Sequence, residues 1–427
     1  MPDFDAAVVG AGVAGCTAAY VLAQAGLDVL LVERGNFAGS KNMTGGRLYT
    51  HSLEKIMPGF TAEAPLERRV TREKLSFMTD DAMTTLDFQS QRLARPGADS
   101  YVVLRSLFDH WLCEKAEDAG ANVITGIRVD ELLQKDGRIS GIKAGGDEIE
   151  TDVVILADGV NSLLATQAGF KSDITPHQVA VGAKEVIALP SQTIEDRFGL
   201  NPGEGAAWLF VGCTHGGIGG GFVYTNSDSI SVGIVVTLSE IEKLGVSVPE
   251  ALEEFKSHPA VQPLIKGGSL VEYSAHLVPE AGKAMMPQLY RDNVLIVGDA
   301  AGLVINIGYM VRGMDLAIES ANCAAQTVIT AKQRGDFSAT SLAEYERRLN
   351  RSFVGHDMAL YSKFPAFLEK TPRMFTQYPQ LMEDVMCDMF QIDGQPSRRL
   401  RTKLMGRVKD VGIINLAKDA LRGVSSL

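Results

Sequence analysis

Clustered cysteines are missing from this chain. Its five, Cys16, Cys113, Cys213, Cys323 and Cys387, stand at least 64 residues apart in sequence, so there is no C-x-x-C pair. A disulfide framework is a device of short secreted chains, and 427 residues build a core without one. An iron–sulfur cluster needs grouped thiolates, so none is expected within this chain, and the cysteines are expected as buried or half-buried free thiols. An excess of positive charge is missing too. Lys and Arg number 41 against 52 Asp and Glu, a net charge of −11. That argues against a nucleic-acid partner, whose binding rests on neutralised phosphates. No apolar run approaches the roughly 18 residues of a membrane span. The opening MPDFDAAVVG has neither the basic nor the apolar stretch of a secretory signal. No internal repeat and no low-complexity segment stands out. The expectation is a cytoplasmic protein of two or three domains, at most peripheral to the inner face of the cell membrane.

What is present begins at once. Ala6–Val9 reads as a short apolar strand, followed by Gly10-x-Gly12-x-x-Gly15 and a helix running to Ala25, where Gly26 stops it. Asp28–Val32 is a second buried strand ending on Glu33. Gly10 makes the tight turn, Gly12 lets backbone approach a pyrophosphate, and Gly15 lets helix and strand pack closely. Ala11, Val13 and Ala14 complete the turn, whose N–H groups and helix dipole favour an anion. Glu33, 18 residues beyond Gly15, is placed to accept hydrogen bonds from a ribose diol, with Arg34 beside it. The pattern is a dinucleotide fingerprint; by itself it suits FAD or NAD equally, because both carry an adenosine ribose.

Ser100–Leu132 reads strand, helix, strand, with Arg105 at the start of the helix and Val129 in the last strand. A meander then leads to a buried strand, Val153–Ala157, closed by Asp158-Gly159. Between about 176 and 278 the pattern changes to alternating strands meeting at glycine and Asn-Ser turns, interrupted by one helical stretch, VPEALEEFKSHPAVQPLI. NVLIVGDAAG returns to a buried strand, and a long small-residue helix follows from about Gly313 to Gln333. The predicted fold is therefore α/β: an FAD-binding Rossmann-like domain with an inserted mixed β-sheet and a helical C-terminus. The expected division is a discontinuous nucleotide domain (1–75, 100–175, 280–335), an inserted sheet (76–99, 176–279) and a helical region (336–427). A fingerprint domain that closes some 290 residues after it opens suits an extended cofactor, FAD. Only one complete fingerprint exists, so NAD(P)H is not expected as a direct reductant.

The fingerprint, Asp158-Gly159 and Gly298-Asp299 together resemble the flavoprotein group of aromatic hydroxylases, geranylgeranyl reductases and electron transfer flavoprotein–quinone oxidoreductases. GSKNMTGGRLY (Gly39–Tyr49) and GDAAGLVINIGYMVRGMDLAIES (Gly298–Ser320) resemble the last of these most, in particular its short FixC-like branch. That resemblance implies a non-covalent FAD and no catalytic side chain beyond it, electrons passing through the flavin. It implies that Asp299 hydrogen-bonds the ribityl or pyrophosphate part of FAD, and that backbone near Gly308–Gly313 faces the flavin O2 edge. It implies further that Gly45-Gly46 lets backbone approach the ring, with Lys41 and Thr44 over it, and that Arg105 faces the pyrophosphate. Ala157 belongs to the same turn as Asp158. The implied activity passes electrons from an electron transfer flavoprotein towards a quinone. The long relatives carry a cysteine-rich ferredoxin domain after the flavin part; here a separate ferredoxin-like iron–sulfur subunit would supply it. A monooxygenase or isoprenoid reductase is the alternative, but the histidine and proline of the hydroxylases are replaced by Gly302-Leu303-Val304. The cysteine and the aromatic-Trp-aromatic-Pro stretch of the reductases are also missing. A non-enzymatic member, like the GDP-dissociation inhibitors, would lack flavin.

Two further readings stay open. The seven histidines lie far apart and are expected as surface or core residues rather than catalysts. SRRLRTKLMGRVK (Ser397–Lys409) holds six basic residues and no acid. It is either a solvated helix face or a docking surface for an acidic ferredoxin-like partner or anionic lipid.

Overall fold

In the computed structural model, residues 2–42, 46–396 and 399–427 are described. Strand β1 (Phe4–Val9) lies inside a parallel sheet, between β2 (Val29–Val32) and a long strand at Asp147–Leu156. Val8 stands opposite Leu31 on one side and Ile155 on the other. Strands covered on both faces read as continuous apolar runs rather than alternating ones, and Ala6–Val9, Val29–Val32 and Val153–Leu156 are all buried. The remaining strands, in chain order, are β3 (Gly46–Tyr49), β4 (Arg69–Met78), β5 (Met83–Gln89), β6 (Ser100–Val103), β7 (Asn122–Ile124), β8 (Val129–Lys135), β9 (Arg138–Ala144) and β10, the Asp147–Leu156 strand. They continue with β11 (Val179–Ala188), β12 (Glu204–Val211), β13 (Gly219–Thr225), β14 (Ser229–Thr237), β15 (Ser269–Pro279), β16 (Tyr290–Arg291) and β17 (Val294–Ile296). β18 (Ile305–Asn306) and β19 (Val311–Arg312) form a separate hairpin.

The first sheet runs β16-β17-β10-β1-β2-β7, with the β8–β9 hairpin extending from β10. From β17 to β7 all pairs are parallel. The turns after β1, β2, β10 and β17 therefore emerge at one edge, the carboxyl edge, where open α/β sheets bind ligands. Helix α1 (Val13–Gln24) packs on this sheet, and the helix Met314–Arg334 packs beside α1 and reaches β3.

The second sheet runs β15-β11-β14-β13-β12-β4-β6-β3, with β5 beside β4. It is mixed: β12 and β4 are parallel and the other pairs antiparallel. Strands β3 and β6, which their place in the sequence groups with the nucleotide half, hydrogen-bond into this sheet. On β12, Trp208 stacks on Phe210 and, with Phe198 and Phe255, fills a second core under the helices Ser191–Phe198 and Val248–Ser257.

The single helical stretch expected at 248–265 is broken in two, Val248–Ser257 and Gln262–Ile265. The cause is local: Pro259 drives the preceding His258 out of the helical region, to ψ 136. Short helices then fill residues 339–424. Phe364, Phe367 and Phe375 join the core of the nucleotide-binding sheet, whereas Phe390 and Ile392 are exposed. Cys387 is exposed as well, against the expectation of buried thiols; the helix that carries it, Gln377–Phe390, buries only Pro379. No helix among the described residues is long and apolar enough to cross a membrane.

Candidate active site

The fingerprint closes as its glycines require. Gly10 sits at φ +98, and a Cβ there would lie 2.5 Å from the Ala157 carbonyl oxygen. A Cβ on Gly15 would lie 1.8 Å from the Gly10 oxygen. Gly12, the residue before α1, has no side chain to cap it, so the first N–H groups of the helix are left for a ligand. Glu33 arrives from β2 and binds this turn: one carboxylate oxygen accepts the Ala11 N–H at 2.8 Å, the other the Gly35 N–H at 2.6 Å.

Asp299 lies in the turn after β17 (Gly298–Ala301), where it caps no helix. Its carboxylate makes no hydrogen bond with the described residues, and burial raises its pKa while Arg105 works against that. Arg105 is itself fixed, its Nε and Nη2 donating to the two Asp109 oxygens at 2.7 Å each, with Asn42 donating to the same carboxylate. Burial disfavours the guanidinium, but Asp109 and then Asp299 outweigh it and hold the pKa up. Half-buried on the cavity wall, this carboxylate keeps acceptor capacity that no described protein donor uses. A ligand that brings hydroxyl groups to Asp299 and phosphates to Arg105 and the start of α1 satisfies all three.

Asp158 is a second half-buried carboxyl at this edge. Burial raises its pKa, and the Ser162 hydroxyl donates to it at 2.8 Å.

These groups share one cavity of about 1410 Å³. Its wall holds Gly10, Gly12, Val13, Ala14, Glu33 and Arg34 at one end, with Val129, Ala157, Asp158 and Gly159 nearby. Lys41, Gly46, Arg105, Asp299, Gly308 and Gly313 continue it. Ala11, Gly15 and Gly298 lie buried behind this wall, and Thr44 and Gly45 lie outside the described residues. The Gly308 N–H does not simply face the cavity: it donates to Asn306 Oδ1 at 3.0 Å, closing a local turn. The cavity continues past Leu75, Leu209 and Phe222 of the second sheet to an apolar arm walled by Phe367, Phe375, Leu416 and Val424. This extent, larger than a typical small-ligand pocket, accommodates a dinucleotide and leaves the arm over.

The glycine cradle, the unsatisfied Asp299 and the elongated cavity fit FAD, and the family comparisons agree. A family model described as an FAD binding domain matches residues 3–353, and one for the electron transfer flavoprotein–quinone oxidoreductase/FixC C-terminal domain matches 364–427. The chain is 56% identical to the probable electron transfer flavoprotein-quinone oxidoreductase YdiS of Escherichia coli K12, over 99% of each chain. It is 54% identical to protein FixC of Salmonella typhi, again over 99% of each. The chain belongs to the electron transfer flavoprotein–quinone oxidoreductase/FixC family. It is an FAD-dependent oxidoreductase. Among solved structures, a geranylgeranyl bacteriochlorophyll reductase-like protein of Thermoplasma acidophilum shares the fold. Its TM-score is 0.71 at 22% identity, covering 96% of this chain and 99% of that one.

For this family member, several cavity residues lay beyond sequence reasoning. His276 of β15 lines the cavity, and burial, Arg105 and Arg34 lower its pKa; nothing in its spacing separates it from the other histidines. Arg47, stacked over Tyr49 at 4.6 Å and paired with Glu73, also lines the wall. An arginine directly after a double glycine is a signal that could have found it. Tyr378 and Asp419, at the arm, come from helices whose packing no local pattern encodes.

Proposed function

We propose that this protein takes electrons from an electron transfer flavoprotein and passes them, through its FAD, towards a quinone, with a separate ferredoxin-like iron–sulfur protein as partner. The observation that carries this reading is the single cavity joining the fingerprint to an apolar arm. Such an arm suits a lipophilic acceptor. The names of the relatives, and the absence of grouped cysteines for a cluster within the described residues, support the same reading. When bound, FAD supplies one- and two-electron redox chemistry. The chain binds and orients it: the start of α1 and Arg105 would take the pyrophosphate, Glu33 the adenosine ribose, and Asp299 the ribityl hydroxyls. Gly46, Lys41 and the Gly308–Gly313 stretch would take the ring, with Thr44 and Gly45 completing the loop. The reading divides the chain into the discontinuous nucleotide domain, the inserted sheet and the helical C-terminal region. It places the protein in the cytoplasm, touching the membrane only at its surface. No nucleic-acid role follows from a chain of net charge −11.

The test is stopped-flow reduction of the FAD-loaded protein by a reduced electron transfer flavoprotein, then reoxidation by a soluble quinone. Bleaching by NADH alone, or no reaction with either protein or quinone, overturns the reading.

A further inference from the structure

Among the phenylalanines and leucines that wall the arm stands a polar pair. Tyr378, on the helix Gln377–Phe390, and Asp419, on the helix Ile413–Val424, both line it. The Tyr378 hydroxyl donates to Asp419 Oδ2 at 2.6 Å. Arg373 donates to the same carboxylate through two nitrogens, Nε to Oδ2 at 2.8 Å and Nη2 to Oδ1 at 3.0 Å. Asp419 is buried, with only 3% of its surface exposed.

This arrangement leaves the phenol at liberty. The guanidinium satisfies both carboxylate oxygens by itself, in the bidentate geometry that makes such pairs strong. Tyr378 can therefore rotate its O–H towards the cavity without stranding a buried charge. Burial and the Asp419 bond, both raising the phenol's pKa, keep it protonated and a donor. Phe367, Met374, Phe375 and Leu416 line the same cavity, and such side chains suit a ring with an alkyl tail rather than a charged ligand. The arm reaches Val424 and Leu427, which are exposed, at the end of the last helix. A lipophilic molecule thus has apolar side chains along its way in from the surface and a hydrogen-bond donor, Tyr378, among them.

We infer that Tyr378 is the group that hydrogen-bonds a carbonyl oxygen of the quinone head group, with Arg373 and Asp419 as the positioning residues that hold its ring in place. This rests on the quinone reading above and assigns it a donor within the segment 364–427. It is a binding step: no bond is made or broken, and the phenol keeps its proton.

The experiment uses the full-length, FAD-loaded protein. Binding of an alkylated hydroxyquinoline N-oxide, a redox-inert quinone analogue, is followed by fluorescence quenching. In parallel, the dithionite-reduced protein is mixed with decyl-benzoquinone, or with ferricyanide as an acceptor that needs no pocket. Loss of one neutral donor should weaken binding about three- to tenfold. Tyr378→Phe is therefore expected to raise the analogue Kd and the half-saturating quinone concentration by that factor. Its FAD content and ferricyanide rate should not change. Asp419→Asn, which keeps the phenol but loosens its anchor, should fall between the two. Unchanged analogue and quinone binding in Tyr378→Phe overturns the assignment while the quinone reading stands. A wild-type protein that neither binds the analogue nor reacts with the quinone, yet reduces ferricyanide, overturns both.

Discussion

The two ends of the cavity are built on different principles. At the fingerprint end, backbone does most of the work. The Gly10 turn touches the Ala157 carbonyl, and Gly15 packs against Gly10 so closely that no other residue fits. Glu33 is held by two backbone N–H groups. At the arm, side chains do it. Phenylalanines, a leucine and one Arg–Asp–Tyr cluster from short helices form the wall. A backbone cradle is intolerant of an added methyl group and specific to one kind of ligand. A side-chain wall tolerates change and sets affinity by degrees. On the proposed reading, the same cavity combines a rigid seat for a resident cofactor with an adjustable seat for an exchanging one.

The harshest way to break that contrast is at the seat. Gly15→Val places carbon atoms inside the Gly10 carbonyl, and the strand–turn–helix unit has no room to yield. Overpacking of this kind costs about 3 kcal/mol or more. The expected product is a colourless, less stable protein, read by its visible spectrum and thermal melt. A yellow protein of wild-type stability would show that the turn is not the seat.

Asp299→Asn separates cofactor binding from folding. In the FAD-bound protein the charged acceptor is lost, and affinity for FAD is expected to fall about ten- to a hundredfold, since hydrogen bonds to charged groups contribute about 1.5–3 kcal/mol. In the FAD-free protein the sign reverses. The folded-state pKa of Asp299 is raised above its ordinary 3.8, chiefly by burial. Its contribution to stability is then fully present below about pH 4 and is lost as the pH rises through the raised value. The asparagine variant should not show that loss, so FAD-free Asp299→Asn melts higher than FAD-free wild type at pH 7. Equal FAD affinities, measured by flavin fluorescence, would remove Asp299 from the site.

How much of this was legible follows from the same contrast. β1, α1, β2 and Glu33 were readable because each local signal is bound to its neighbour in sequence: run, glycine turn, helix, run, acid. The strands of the second sheet were readable too, by alternation and turn residues. What was lost depends on contacts distant in sequence. β3 and β6 join the second sheet through pairing that neither strand's residues announce. His276 reaches the cavity only because β15 pairs with β11 in the observed register, Gly182 opposite His276. Asp419 meets Arg373 across 46 residues of helical chain. Charge runs mislead for a related reason. Of the basic stretch after Ser397, Arg407 pairs with Asp384 and Asp388, and Lys403 donates to the Asp388 carbonyl at 2.5 Å, so part of the cluster is spent on internal packing.

A milder substitution sharpens the difference between the ends. Gly423 faces the arm from the last helix, and a Cβ there would stand 3.4 Å from the Phe367 ring. Gly423→Leu should fill the arm without touching the fingerprint. FAD content is expected to stay at the wild-type level while the half-saturating quinone concentration rises about tenfold, the scale of a pocket misfit. Loss of FAD along with quinone binding would mean the two ends are not independent.

The smallest effect is expected outside the cavity. Arg398 lies beyond the described residues, but Arg399, Arg401 and Lys409 are exposed and carry no ion pair among the described residues. They are the part of the basic stretch that no described ion pair uses. They stand near the exposed Phe390 and Ile392 in sequence, a composition suited to docking an acidic protein. Exposed charges steer association more than they hold a complex. Arg399→Ser with Arg401→Ser is therefore expected to slow association with an acidic ferredoxin-like protein about two- to threefold at low salt. The effect should vanish once the screening length falls to a few ångströms, near 1 M salt. Stopped-flow or surface-based binding across ionic strength decides it. A rate and salt slope equal to wild type would make these residues an ordinary solvated helix face, and the partner surface would have to be sought elsewhere on the molecule.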